Sequence, residues 1–214
     1  MNNRDYKNFS KGSLYHIYNR GNNREKIFYN EEDYQAFLFR IGLVLGFEMK
    51  DLKHELLSVP YSRIRITKIK KNIFLIHAFC LMPNHFHILI EQCSDIPISK
   101  FISKVCSSYA QYINRKYKRV GHIFQDQFKA VLIESNVQLM WTSSYIHTNP
   151  VKDKITEHLS QYKWSSYNDY ASDRNLPIIE KKLLLETFGS KANFKKETSP
   201  LNQDDMMSLG ISDM

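Results

Sequence analysis

The 214-residue chain has few cysteines, a deficit of acids and no long uncharged apolar run, and each shortage narrows what it can be. Its three cysteines, Cys80, Cys93 and Cys106, are odd in number and form no C-x-x-C pair. Cys80 and Cys106 sit among apolar neighbours, which reads as buried free thiols in a reducing compartment rather than disulfides or a zinc site. No signal peptide opens the chain and no apolar stretch is long enough to span a bilayer, so a cytoplasmic protein with no membrane partner is expected. Internal repeats, a phosphate-binding glycine loop and a nucleophile elbow are all missing. The 22 Asp and Glu are outnumbered by 30 Lys and Arg, a formal net charge of +8. That imbalance favours a polyanionic partner, nucleic acid foremost, although a merely basic protein shows it too. With 43% hydrophobic residues the chain can bury one core, with extensions.

What is present centres on Pro83-Asn84-His85-Phe86-His87-Ile88-Leu89-Ile90. It follows the apolar run 73–82, and Pro83-Asn84 breaks the two runs apart, the pattern of a β-hairpin. Residues two apart on a strand share a face. His85 and His87 therefore project together, with Leu89 behind them, while Phe86, Ile88 and Ile90 turn to a core. Two imidazoles on a stiff strand can share a divalent ion and leave positions open for substrate. Ordinary histidines on a half-exposed strand give the same pattern.

The flanking segments supply an alternation of elements. Leu14 to Tyr18 reads as a strand ending in the basic turn Asn19-Arg20-Gly21-Asn22-Asn23-Arg24. Asn30 caps an amphipathic helix carrying Tyr34, Phe37, Leu38, Ile41 and Leu45. Residues 48–57 extend that helix or form another, and Arg63 to Lys70 alternates as a strand with a basic face. A second helix, 98–117, buries Ile98, Phe101, Ile102, Val105, Tyr109, Tyr112 and Ile113 and ends in Arg115-Lys116-Tyr117-Lys118-Arg119. Basic residues interleaved with tyrosine suit phosphate contact and base stacking, and equally a solvated helix end. After the loop 121–129 come a short buried strand, Ala130–Glu134, and a helix opened by a Ser135/Gln138 capping box. Pro150 should stop it near Asn149. Tyr145 and Asn149 then lie one turn apart on one face. Residues 161–190 read as an extension with a short helix from Ile178 to Phe188 stopped by Gly189, and 191–214 as a disordered tail.

Taken in order, these motifs resemble the single-tyrosine HUH transposases, in the REP-associated branch of the IS200-like enzymes. The residues that carry the likeness are Tyr15-His16-Ile17-Tyr18-Asn19-Arg20-Gly21-Asn22-Asn23-Arg24, Met82-Pro83-Asn84-His85-Phe86-His87, Gly121-His122-Ile123-Phe124-Gln125 with Phe128-Lys129, and Tyr145-Ile146-His147-Thr148-Asn149-Pro150-Val151. Trp164-Ser165-Ser166-Tyr167 and Leu185-Glu186-Thr187-Phe188-Gly189 extend it to about residue 190. The resemblance implies a ferredoxin-like α/β sandwich (α+β) with an antiparallel central sheet over residues 1–160, and 161–190 packed on it. It implies His85, His87 and Asn149 as metal ligands, Mg or Mn as the ion, and Tyr145 as nucleophile. Two departures stand out. Phe124, Asp126 and Gln127 occupy loop positions where the family usually has tryptophan, glycine and arginine, and residues 48–70 are longer than its norm.

The implied reaction is metal-assisted cleavage and rejoining of single-stranded DNA beside a hairpin, through a 5′-phosphotyrosine. Arg20, Arg24, Arg115, Lys116, Lys118, Arg119, Phe124 and Lys129 are the expected DNA contacts, and a homodimer with the tyrosine helix in trans is one possible assembly. Tyr109, Tyr112 and Tyr117 are rival nucleophiles without an amide four residues on that precedes a helix stop. Two other readings stay open. A silent hairpin-binding repressor has no need of all four site residues, and an unrelated metal hydrolase leaves the Tyr-Asn pair unexplained.

Overall fold

The computed structural model describes residues 9–48, 52, 68–125 and 127–198. Four strands, β1 (Ser13–Arg20), β2 (Phe74–Met82), β3 (His85–Gln92) and β4 (Lys129–Ile133), pair antiparallel in the order β2-β3-β1-β4. With α1 (Glu31–Val44) after β1 and α2 (Ile98–Lys116) after β3, the chain runs β-α-β-β-α-β, the ferredoxin-like sandwich expected. α1 and α2 cover one face, packing Phe37, Ile41, Phe101, Val105 and Tyr109 onto Ile17, Phe86, Ile88 and Ile90. The alternation of β3 places Leu89 on the other face, in a second core with Ala78, Cys80, Met82, Leu139 and Ile146. That face is covered by α3 (Asn136–Lys152). Behind α3 lie three short helices, α4 (Tyr167–Ala171), α5 (Lys182–Phe188) and α6 (Lys191–Glu197).

Local chemistry sets the helix ends. Asn30 and Asp33 form a reciprocal capping box at the start of α1. Asp33 is fully buried and also accepts from the Tyr112 and Tyr117 hydroxyls and the Lys116 ammonium, which binds the start of α1 to the end of α2. Ser135 caps α3 as expected, but Gln138 reaches past it, its Oε1 accepting from the Glu134 N–H. Gly21 follows β1 where a Cβ would stand 2.1 Å from the Glu25 carbonyl oxygen, so only glycine fits that close approach.

Several expectations are corrected. α3 does not stop at Asn149: Pro150 lies inside it, and the end comes where Lys154 turns left-handed (φ 56°) and Ile155 N–H bonds back to the Pro150 carbonyl. A proline in the last turn forfeits one hydrogen bond, and burial of the helix from Thr142 to Pro150 outweighs that loss. β4 is not buried but an edge strand, with Leu132 exposed. The helix foreseen from Ile178 begins at Lys182, because Ile179 instead bridges to Ile76 at the outer edge of β2. The tail is ordered over 191–197, where Phe194 is fully buried against Tyr170 and Phe188. Burial of one phenyl ring contributes about 2 kcal/mol, enough to hold a helix too short to persist alone. The segment 49–67, apart from Leu52, lies outside the described residues, as does 199–214, so the basic strand through Arg63 and Arg65 does too. Cys80, Cys93 and Cys106 are free thiols, Cys80 buried and the others half-buried. No helix among the described residues is long and apolar enough to cross a membrane.

Candidate active site

β1 and β3 are neighbours in register, with Tyr18 opposite His87 and Arg20 opposite His85. Strand alternation puts His16, Tyr18 and Arg20 on the same face as His85 and His87. The two paired histidines stand perpendicular, their ring centroids 5.0 Å apart. α3 crosses this face and sets the Tyr145 ring edge-on to both His87 (5.4 Å) and His16 (5.9 Å). One turn further along, Asn149 is buried and its Nδ2 donates to the Tyr145 carbonyl at 2.7 Å. The histidine pair and the tyrosine therefore meet within one chain.

Burial governs the electrostatics. It pushes His85 down to about 4, with the Arg20 charge adding to the effect, and His87 well below the usual imidazole range, with His85, His16 and Arg20 adding. Both rings are thus neutral, as metal ligands must be. The His85 Nδ1 lies 2.6 Å from Asn84 Oδ1, an atom that only accepts, so Nδ1 carries the proton and Nε2 keeps its lone pair. The Asn84 amide is oriented by its Nδ2, which donates to the Arg24 carbonyl at 3.2 Å. His87 Nε2 is buried with no hydrogen-bond partner among the described residues. An unpaired imidazole nitrogen beside a second with a free lone pair fits a divalent cation, with the Asn149 amide as an additional donor. Among the described residues no cluster of three His, Cys, Asp or Glu side chains is placed to hold a metal, and the set here is two imidazoles and an amide.

The rival tyrosines are structural. Tyr109 donates to the Ile27 carbonyl at 2.6 Å, while Tyr112 and Tyr117 donate to Asp33. Burial raises all three, with Asp33 adding to the rise, Tyr109 well above the ordinary value and the other two to about 12. They belong to the α1–α2 layer, across the sheet from the histidines.

A family model described as "Transposase IS200 like" matches residues 10–149, well over half of the chain. The chain belongs to the IS200-like transposases. Among solved structures, a REP-associated tyrosine transposase bound to a REP hairpin superposes with a TM-score of 0.56 at 17% identity, covering 79% of this chain and 85% of that one. That likeness is one of fold. No curated protein sequence matches the chain.

The basic residues of this transposase divide into two groups. Arg20, Arg24 and Lys129 line a polar recess of about 200 Å³ with Tyr18, Asn19, Gln125 and Gln127, beside the histidine face. Asn23 and Arg24 are both left-handed (φ 52° and 60°), which turns the chain sharply at the recess rim. At the end of α2, Arg115 and Lys118 are exposed, but Arg119 pairs with Glu25 and bonds the Tyr29 hydroxyl. Lys116 is nearly buried between Asp33, Glu32 and Asn30. Burial lowers its ammonium, yet the hydrogen bonds it donates to Asp33, Glu32 and Tyr112 outweigh this and hold it above the usual lysine value. Its geometry is that of an internal ion pair rather than a surface phosphate contact. Phe124 is half-buried and packs edge-on to Phe86 at 5.9 Å, so its ring belongs to the rim of the core.

Two site residues escaped the sequence reading. His16 stacks on His87 at 5.1 Å and hydrogen-bonds it, and Lys152 places its ammonium 5.8 Å from the Tyr145 ring centroid. The period-two face of β1 and the i, i+4, i+7 row Tyr145, Asn149, Lys152 were the signals for them.

Proposed function

We propose that this transposase cleaves and rejoins single-stranded DNA beside a hairpin, with Tyr145 as the nucleophile. The observation that carries the reading is Tyr145 lying edge-on to His87, in its own chain, on a helix that also bears Asn149. In the cleavage step the Tyr145 oxygen bonds to the scissile phosphorus and the bond to the 3′ oxygen breaks. The phenol proton passes to solvent and the leaving oxygen takes one back, giving a 3′-hydroxyl and a 5′-phosphotyrosine. The phosphotyrosyl link keeps the reactivity of the diester, so another 3′-hydroxyl can displace it without a nucleotide cofactor.

His85, His87 and Asn149 would hold a divalent ion, which when bound draws charge from a nonbridging phosphate oxygen. All three donors are neutral and leave the positive field undiminished; imidazoles suit Mn²⁺ and the amide and phosphate oxygens suit Mg²⁺. Lys152 places its ammonium 5.8 Å from the centroid of the Tyr145 ring, a positive charge beside the nucleophile. Arg20, Arg24 and Lys129 take the strand's phosphates at the recess, with Arg115 and Lys118 supplying longer-range attraction. A DNA hairpin as partner is supported by the hairpin bound to the similar solved transposase.

The test is incubation with hairpin-bearing single-stranded DNA labelled at its 3′ end, so that the label stays with the fragment downstream of the cut. A covalent adduct mapping to Tyr145, absent in Tyr145→Phe, is expected. An adduct that survives Tyr145→Phe means another nucleophile, and a parent that binds the hairpin but never forms an adduct is a binding protein.

A further inference from the structure

His16 is fully buried in the middle of β1, and its Nε2 lies 2.9 Å from His87 Nδ1. Exactly one of these two nitrogens carries the shared proton, and the choice decides what the far side of His87 can do. If His16 donates, His87 Nε2 carries a hydrogen and can bind no metal. If His87 donates, its Nε2 presents a lone pair. That Nε2 is buried and has no hydrogen-bond partner among the described residues. Either tautomer leaves one buried N–H without an acceptor, on His87 Nε2 or on His16 Nδ1, and what separates them is the cation site, because only the second presents a lone pair of His87 to it. The neighbouring histidine sets the precedent, because Asn84 Oδ1 holds a proton on His85 Nδ1 in the same way.

We propose that His16 is a positioning residue: it accepts the His87 Nδ1 hydrogen and so fixes His87 in the tautomer whose Nε2 faces a divalent cation. The proposal rests on the metal reading above and assigns His16 no contact with substrate. Asn84 and His16 are then a matched pair, each an acceptor behind one ligand, one from the hairpin turn and one from the adjacent strand. The arrangement requires His16 to carry its own proton on Nδ1, which is buried and has no hydrogen-bond partner among the described residues. It also explains why a polar ring stands in the middle of a central strand, against both Tyr145 and His87.

The full-length protein without DNA tests this through two readouts that need no catalysis. Long-range ¹H–¹⁵N spectra of the metal-free parent should show His87 protonated at Nδ1; protonation at Nε2 overturns the proposal whatever the variants do. Mn²⁺ titrations followed by electron paramagnetic resonance should show about tenfold or weaker binding in His16→Leu, which has no acceptor. His16→Gln, whose Oε1 can still accept, should bind Mn²⁺ within about threefold of the parent. Equal binding by a folded His16→Leu overturns the proposal alone. A parent that binds no Mn²⁺, or binds it unchanged in His87→Ala, overturns the metal reading and this proposal with it.

Discussion

His147 Nε2 stands 2.8 Å from Ser166 Oγ, on the side of α3 turned away from the paired histidines. Ser166 in turn bonds the backbone of Phe79 in β2, so the helix carrying Tyr145 is tied through the C-terminal extension to the sheet it lies on. Tyr167, Tyr170 and Phe194 close around His147 on that side. The extension therefore clamps the helix from behind. Phe194→Ala should lower stability by about 3 kcal/mol, the usual cost of emptying an aromatic core site. Cleavage should slow as the helix loosens, while hairpin affinity stays within about twofold. A variant as stable as the parent in urea melts would mean that α6 is not part of the clamp.

Metal dependence is the next expectation. His87→Ala should reduce cleavage by at least about a hundredfold, and chelator should do the same to the parent, with hairpin binding retained in both cases. The sign follows from geometry: the histidines face Tyr145 on one side of the sheet, whereas Arg24 and Lys129 reach into the adjacent recess. Full cleavage in chelator, measured on a labelled strand, would leave the histidines without this role.

How much of this was legible in the sequence depends on the range of the interaction. Strand alternation and Pro83-Asn84 gave the hairpin and its histidine face, because both are local. The Asn30 cap and the α2 stripe were local as well. Tyr145 and Asn149 were legible as one helix face, but not that the helix would run on past Pro150, since that depended on burial between two layers. Lys116 read as a surface cation because its counter-charge, Asp33, is eighty-three residues away. His16 stood in a quoted motif, but its role did not show for the same reason: its partner His87 is seventy-one residues on and meets it only once β1 and β3 pair. Phe194 sits in a polar run, and one apolar residue shows no period.

Lys116 and Arg24 should now behave differently, although both are cations at the same end of the sheet. Lys116→Met leaves Asp33 buried without its ammonium and should cost about 3 kcal/mol of stability, with the salt dependence of DNA binding unchanged. Arg24→Ala together with Lys129→Ala should leave the melting temperature nearly alone and reduce the slope of log affinity against log salt by about two. If Lys116→Met flattens that slope instead, the phosphates run along the end of α2.

The last expectation is acid sensitivity with a defined source. Burial, with Arg174 nearby, pushes His147 down to about 3, and burial alone does the same to His16. An unfolded histidine titrates near 6.5, so as pH falls the unfolded chain takes up protons that the folded one refuses. The stability held by each neutral ring is therefore complete above about pH 6.5 and drains away as pH falls toward 3. Each such histidine steepens the loss by up to about 1.4 kcal/mol per pH unit across that window. His147→Leu removes one proton from the difference, at the expense of the Ser166 bond. It should be less stable than the parent at pH 7 yet lose stability more slowly between pH 6 and 4. Urea unfolding at several pH values measures both slopes, and parallel slopes would show that His147 is already protonated in the fold or shielded in the unfolded chain.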